Sequence, residues 1–474
     1  MATVSAADHE LLTPNLENDA ATPEQVGDAT TLAERFRRVR SFSERIAAPL
    51  SPEDCAIQSM PDASPTRWHL AHTTWFFETF VLAQIAGYAY FSREFQALFN
   101  SYYNAVGEPF PRGRRGVLSR PGLAEVMDYR AHVDRQMLEL LDRDLEPGVA
   151  AVVELGLNHE QQHQELMLTD IKHALSCNPL DPAYLSDDRR GPQASAVAAK
   201  AAVSESRGEH AWRRYGEGTY WIGHDGRGFA YDNESPRHRQ FLASFEIASR
   251  LVTCGEYLDF IADGGYQRPE LWLALGWQCA REQHWSWPLY WAKRDDMWGM
   301  FTLAGRGPVD RDEPVCHVSY FESDAFARWA GARLPTEAEW EVAAAGMPVQ
   351  GRFADRLIAS GQMVHPAAAS LRDSDVAQRF EFITTVEREE NTPRPPLAQM
   401  FGELWQWTAS SYSPYPGYRP PDGALGEYNG KFMCNQYVLR GGSCATPSGH
   451  VRAMYRNFFP PEARWQFTGI RLAR

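Results

Sequence analysis

The hydrophobic pattern of this 474-residue chain changes period once, and that change restricts it to a composite fold. From Thr31 to about Leu185, apolar residues recur at intervals of three and four in four segments: TLAERFRRVRSFSERI, WHLAHTTWFFETFVLAQIA, AEVMDYRAHVDRQMLELLDRDL and AAVVELGLNHEQQHQELMLTDIKHAL. Such spacing gives each helix an apolar stripe, and four stripes that must be buried together predict a four-helix bundle. From Trp212 onward the chain turns to short strand-like runs, glycine turns and tryptophans. One helix, ESDAFARWAGA, precedes RLPTEAEWEVAAAG, where Thr336 and Glu339 have capping-box spacing. The second region is therefore expected to be α+β. Residues 186–211 are small, polar and charged, the composition of a linker, and residues 1–30 read as a mobile tail. The expected organisation is a tail (1–30), a helical bundle (31–185), a linker (186–211) and an α+β domain (212–474).

Composition removes several function classes. The formal charge of −14 argues against nucleic acid as a partner, because phosphate binding needs a basic footprint. No apolar run approaches the ~20 residues needed to span a bilayer. The N-terminal stretch MATVSAADHELLTPNLENDA lacks the basic and apolar regions of a signal peptide. Seven cysteines, odd in number and without a C-x-x-C pair, fit reduced thiols, so a soluble, cytoplasmic protein is expected.

The chemistry is concentrated in LNHEQQHQELMLTD. His159 and His163 are four apart on a predicted helix and project from one face, close enough to share a metal ion. The H-E-x-x-H pattern is that of zinc peptidases, with Glu160 as general base. A peptidase also needs a third ligand downstream, and none fits: Leu166 stands where the longer motif has glycine, and Thr169 where it has histidine. Upstream, SPTRWHLAHTTWFFE offers His69 and His72, either of which can face inward from another bundle helix. Three histidines from two helices, with coordination positions left open, suit a redox-active iron(II) centre.

WHLAHTTWFFE followed by NHEQQHQELMLTD resembles the DinB-like domain of the ergothioneine-biosynthesis sulfoxide synthases, EgtB. The stretches GTYWIGHDG, PVCHVSYFESDAFARWAGARLPTEAEWEVAAAG, GELWQWTASSYSPYPGY, VLRGGSCATP and TGIRLAR resemble a formylglycine-generating-enzyme-type domain, the C-type-lectin-like fold of the sulfatase-modifying factors. Together they imply a DinB-like four-helix bundle followed by that lectin-like domain, with the substrate site between them. Formylglycine generation itself is not expected, since Cys434 and Cys444 are ten positions apart in different local contexts.

The resemblance assigns Fe(2+) to His72, His159 and His163 and leaves His69 a structural role. It implies that the thiol of cysteine, or of γ-glutamylcysteine, is joined with O2 to the imidazole C2 of hercynine, giving a sulfoxide. Gln162 would contact the hercynine imidazole, and Asn457, Phe458 and Phe459 stand in the segment that resembles the hercynine-binding stretch. A trimethylammonium group has no hydrogen to donate and favours aromatic faces. Arg112 and Arg115 would read the carboxylate of the thiol substrate. Tyr102 and Tyr103 match two adjacent tyrosines that act as proton donors in one branch. The actinobacterial branch has Asn-Trp-Asp where this chain has Asn457-Phe458-Phe459. Loss of that carboxylate favours cysteine over γ-glutamylcysteine. The acid of that other branch is a C-terminal tyrosine, with Tyr428 as a weak counterpart. Selenoneine synthase and ovothiol-type synthase are the nearest alternatives, and a zinc peptidase or a non-catalytic lectin-like binding protein are more distant ones.

Overall fold

The computed structural model describes residues 30–185, 211–369 and 396–474. Apart from one residue each, the expected tail (1–30) and linker (186–211) lie outside the described residues.

The N-terminal region is helical: α1 (Leu32–Ala47), α2 (Thr66–Phe80), a short α3 (Phe95–Leu98), α4 (Leu123–Leu141) and α5 (Pro147–Ser176). Thr31 starts α1 with a capping box: its hydroxyl accepts the Glu34 amide while the Glu34 carboxylate takes the Thr31 amide. Every residue of α2 from Thr66 to Thr79 is buried, which makes it the central helix of the bundle, packed against α4 and α5. The helical pattern in sequence runs on to Ala86, yet α2 stops at Phe80. Val81 and Leu82 remain buried through a tighter 3₁₀ turn, so their apolar character reflects burial rather than helix. Gly156 lets α5 approach α2 closely, since a Cβ there would lie 2.6 Å from the Phe77 ring.

The C-terminal region is built from small sheets. β1 (Trp212–Tyr215) pairs antiparallel with β4 (Phe245–Ala248), and β2 (Gly218–Ile222) with β3 (His238–Leu242). β5 (Trp291–Arg294), β6 (Met297–Thr302) and β7 (Gly305–Pro308) form a meander. The fourth sheet has the order β10 (Asn457–Phe459), β9 (Tyr437–Arg440), β8 (Trp405–Ser411), β11 (Thr468–Gly469), with β11 parallel to β8. The Thr336–Glu339 capping box forms and opens the helix Glu337–Ala344.

A single cluster of buried apolar side chains joins the two regions, running from Phe36 and Trp75 to Tyr428, Tyr455 and Trp407. A polar clamp reinforces the seam. The buried carboxylate of Glu165, on α5, accepts hydrogen bonds from Trp405 Nε1, Ser443 Oγ and Thr446 Oγ1, each at 2.7 Å. Helix α5 is thereby fixed against the second region.

Candidate metal centre

His72 from α2 and His159 and His163 from α5 meet at the bundle centre, with one nitrogen of each within 4.8 Å of the others. All three are buried. Their rings form a tight triangle, with centroids 4.9 Å (His72–His159), 4.7 Å (His72–His163) and 4.6 Å (His159–His163) apart. His72 Nδ1 donates to the Phe99 carbonyl at 2.6 Å, which fixes its tautomer and turns the Nε2 lone pair inward. That Nε2 lies 3.2 Å from His159 Nε2. The Trp68 and Trp75 indoles stack on His72, and Phe76 packs on His159.

Burial, and then the neighbouring histidines, push the His72 and His163 imidazoles well below their usual range. Burial brings His159 down to about 3. Three neutral nitrogens, joined by no carboxylate among the described residues, form a donor set that fits a divalent metal, which requires its imidazoles deprotonated.

Glu160 points away from this triangle. Its carboxylate accepts Arg40 Nη1 at 2.8 Å, Ser43 Oγ at 2.6 Å and Arg130 Nη2 at 3.1 Å, all from α1 and α4. Those guanidinium groups hold its pKa at about 2 against the effect of burial. A carboxylate so engaged cannot reach a water between the histidines, so the H-E-x-x-H glutamate anchors the helix and has no access as a base.

Gln162 faces the second region. Its Nε2 donates to Tyr455 Oη at 2.8 Å, and its Oε1 accepts Tyr428 Oη at 2.5 Å. Tyr428 in turn makes an edge contact with His159 at 5.8 Å and stacks on Tyr231. The sequence marks Tyr428 only as a weak counterpart and gives no sign of Tyr455 or Tyr231. They arrive through the second region, Tyr428 and Tyr455 from 266 and 293 positions beyond Gln162.

The remaining predicted residues divide. Arg115 is buried, its Cζ 3.3 Å above the Trp68 ring, and it bonds the hydroxyls of Ser64 and Ser101 at 2.9 and 3.1 Å. Its Nε has no partner, and among the described residues no carboxylate pairs with it. Burial and the nearby Arg112 lower its pKa, so the site favours an arriving anion. Arg112 is exposed and bonds the Asp62 carbonyl. Tyr102 and Tyr103 stack at 4.6 Å, and the Tyr103 hydroxyl is buried beside that of Tyr102. Their ring contacts reach the histidines through Trp75 and Tyr428. In β10, Phe458 stacks on Tyr412 at 4.1 Å and meets Phe432, which touches Tyr102. Phe459 lies on the opposite strand face against Trp465, and Asn457 Oδ1 takes the Phe458 amide. No ring contact joins Phe458 or Phe459 to the triangle.

Residues 35–167 match the DinB superfamily, and residues 212–474 match the sulfatase-modifying factor enzyme 1-like domain. The chain is 31% identical over 452 residues to the hercynine oxygenase of Mycolicibacterium smegmatis, covering 94% of this chain and 98% of that protein. It belongs to the hercynine oxygenase family. A second member, from Mycolicibacterium thermoresistibile, is 32% identical over 375 residues, 77% of each chain. The formylglycine-generating enzyme of Streptomyces coelicolor is 30% identical over 251 residues, 46% of this chain and 73% of that one. The fold is thus a DinB-like bundle followed by a C-type-lectin-like domain. Both regions belong to one chain, and Tyr428 of the second touches His159 of the histidine triangle. Cys434 is exposed and Cys444 buried, both free thiols.

Proposed function

We propose that the chain is an oxygen-dependent oxidoreductase of ergothioneine biosynthesis, a non-heme iron(II) sulfoxide synthase joining cysteine to hercynine. The bundle (31–185) supplies the metal ligands, and the lectin-like region (212–474) closes the substrate side. The observation that carries this reading is the buried triangle of His72, His159 and His163 beside the Gln162–Tyr428–Tyr455 network. In the overall reaction the imidazole C2–H and the S–H bonds break and C2–S and S–O bonds form. O2 is reduced, and its second oxygen leaves as water with both hydrogens.

Iron(II), held by His72, His159 and His163, would supply O2 activation and favour the thiolate form of the sulfur donor. The protein's own groups do the rest. Arg115, with an unsatisfied Nε and no acidic partner, receives the carboxylate of the thiol substrate. Gln162 is fixed by two phenols yet keeps one N–H and one lone pair for the substrate imidazole. Tyr428, the phenol that touches His159, offers aromatic surface to a trimethylammonium group, whereas the Tyr231 and Tyr455 rings carry the Arg452 guanidinium at 5.5 and 5.0 Å. Tyr103, whose hydroxyl is buried beside that of Tyr102 and kept protonated by burial, is the phenol we assign to proton donation, with Tyr102 stacked on it. Trp68 and Trp75 exclude water from one side of the centre.

Cysteine is favoured over γ-glutamylcysteine because Asn457-Phe458-Phe459 presents no carboxylate to a γ-glutamyl amine. The test is anaerobic Fe(II) protein mixed with hercynine and either thiol, exposed to air and followed by mass. Sulfoxide with cysteine in preference to γ-glutamylcysteine is expected. Product from neither thiol, without O2 uptake, would sink the assignment. Product only from a selenium donor, or only from histidine as acceptor, would move the chain to the selenoneine or ovothiol reaction.

A further inference from the structure

His69 is absent from the triangle but not idle. On α2, one turn from His72, its Nδ1 lies 2.8 Å from His163 Nδ1, and its Nε2 lies 3.1 Å from Asp170 Oδ2. All three side chains are buried. The same Asp170 oxygen accepts the Ser64 backbone amide at 2.8 Å, so the carboxylate is held from two sides.

Proton accounting fixes every tautomer in this row. An ionised carboxylate only accepts, so the proton on a neutral His69 sits on Nε2. Its Nδ1 then carries a lone pair and must accept from His163 Nδ1–H. A neutral His163 protonated on Nδ1 has a bare Nε2, the atom available to a metal. The outer nitrogens of the three candidate ligands therefore differ in their surroundings. His72 leans on the Phe99 carbonyl and His163 on an imidazole–carboxylate pair, while His159 Nδ1 is buried with no partner.

We propose that Asp170 and His69 are positioning residues for the centre: a hydrogen-bonded relay, Asp170–His69–His163, that sets the His163 tautomer and raises its donor strength. The proposal rests on the metal-centre reading above. A hydrogen bond to an anionic carboxylate, passed through one imidazole, increases electron density on the ligand nitrogen and favours the more highly charged oxidation state of a bound iron. It also separates the two histidines of the W-H-x-x-H segment by role: His72 is a ligand, and His69 acts through one.

The experiment compares the full chain with Asp170→Asn, His69→Gln and the double variant. It reads anaerobic Fe(II) affinity and the Fe(III)/Fe(II) midpoint potential, with metal-free circular dichroism as the folding control. Each single variant should weaken Fe(II) binding by about 10- to 100-fold and raise the potential. The double variant should add little, because the two residues act in series. Unchanged affinity and potential in Asp170→Asn would overturn the relay while leaving the centre standing. Additive losses in the double variant would overturn the series arrangement. Wild-type protein that binds no iron would overturn the centre itself, and the relay with it. Should Asp170→Asn fail to fold for want of the Ser64 contact, His69→Gln leaves that contact intact and carries the same test.

Discussion

Replacing Glu160 with glutamine separates the structural role of this residue from the catalytic one that its motif suggests. The substitution keeps the shape and removes the charge facing Arg40 Nη1 at 2.8 Å and Arg130 Nη2 at 3.1 Å. Two estimates of the cost agree. Breaking a buried ion pair by removing one partner costs about 3–5 kcal/mol. Independently, the Glu160 carboxyl is held at about 2, against roughly 4.3 in an unfolded chain, which corresponds to about 3 kcal/mol. Arg40 keeps Asp134 at 2.8 Å, and Arg130 keeps the more exposed Glu44 at 3.6 Å, so the lower figure, about 3 kcal/mol, is expected. The folded-state pKa lies below the unfolded one, so this stability is complete above the unfolded value. It is lost as pH falls from about 4.3 towards 2. Urea denaturation followed by the helical circular dichroism signal at neutral pH and near pH 3 measures it. Glu160→Gln should unfold at lower urea at neutral pH, and its deficit should shrink in acid. A variant as stable as wild type at neutral pH, or a deficit constant down to pH 3, would refute the reasoning.

Other consequences of the geometry are as direct. Gly156→Ala places a methyl group 2.6 Å from the buried Phe77 ring. Overpacking of about 1–3 kcal/mol should outweigh the helix-propensity gain of about 1 kcal/mol, lowering both the melting temperature and metal affinity; higher stability with intact metal binding would contradict this. Arg115→Ala removes a charge-assisted contact worth about 1.5–3 kcal/mol, so the KM for the thiol should rise about 10- to 100-fold, whereas Arg112→Ala should change it little. Tyr103→Phe should lower sulfoxide yield and divert O2 into thiol oxidation, read as a shift in product ratio. An unchanged ratio would remove Tyr103 from the proton path.

Much of this was readable from local pattern. The three-and-four spacing, the Thr31–Glu34 and Thr336–Glu339 boxes, and the four-residue step between His159 and His163 are short-range signals, and each is present in the fold. Where α2 ends was not readable, because Val81 and Leu82 are as apolar in a turn as in a helix. The residues that finish the site were harder still. Gln162 finds Tyr428 and Tyr455 at separations of 266 and 293 positions, set by how the lectin-like region docks rather than by any motif. Phe459, placed in the hercynine-binding stretch by resemblance, packs by strand alternation on Trp465, a contact that the local sequence does not announce. Arg112 and Arg115 read alike in PRGRRGVL, and only their burial distinguishes them.

The claim on which all else depends is that His72, His159 and His163 hold one iron. X-ray absorption at the iron edge, on protein loaded anaerobically with Fe(II) and desalted, tests it most directly. One iron per chain with three imidazole nitrogens is predicted, reduced to loss of retained metal in His72→Ala. Iron retained equally by His72→Ala, or a first shell without imidazole, would contradict the account.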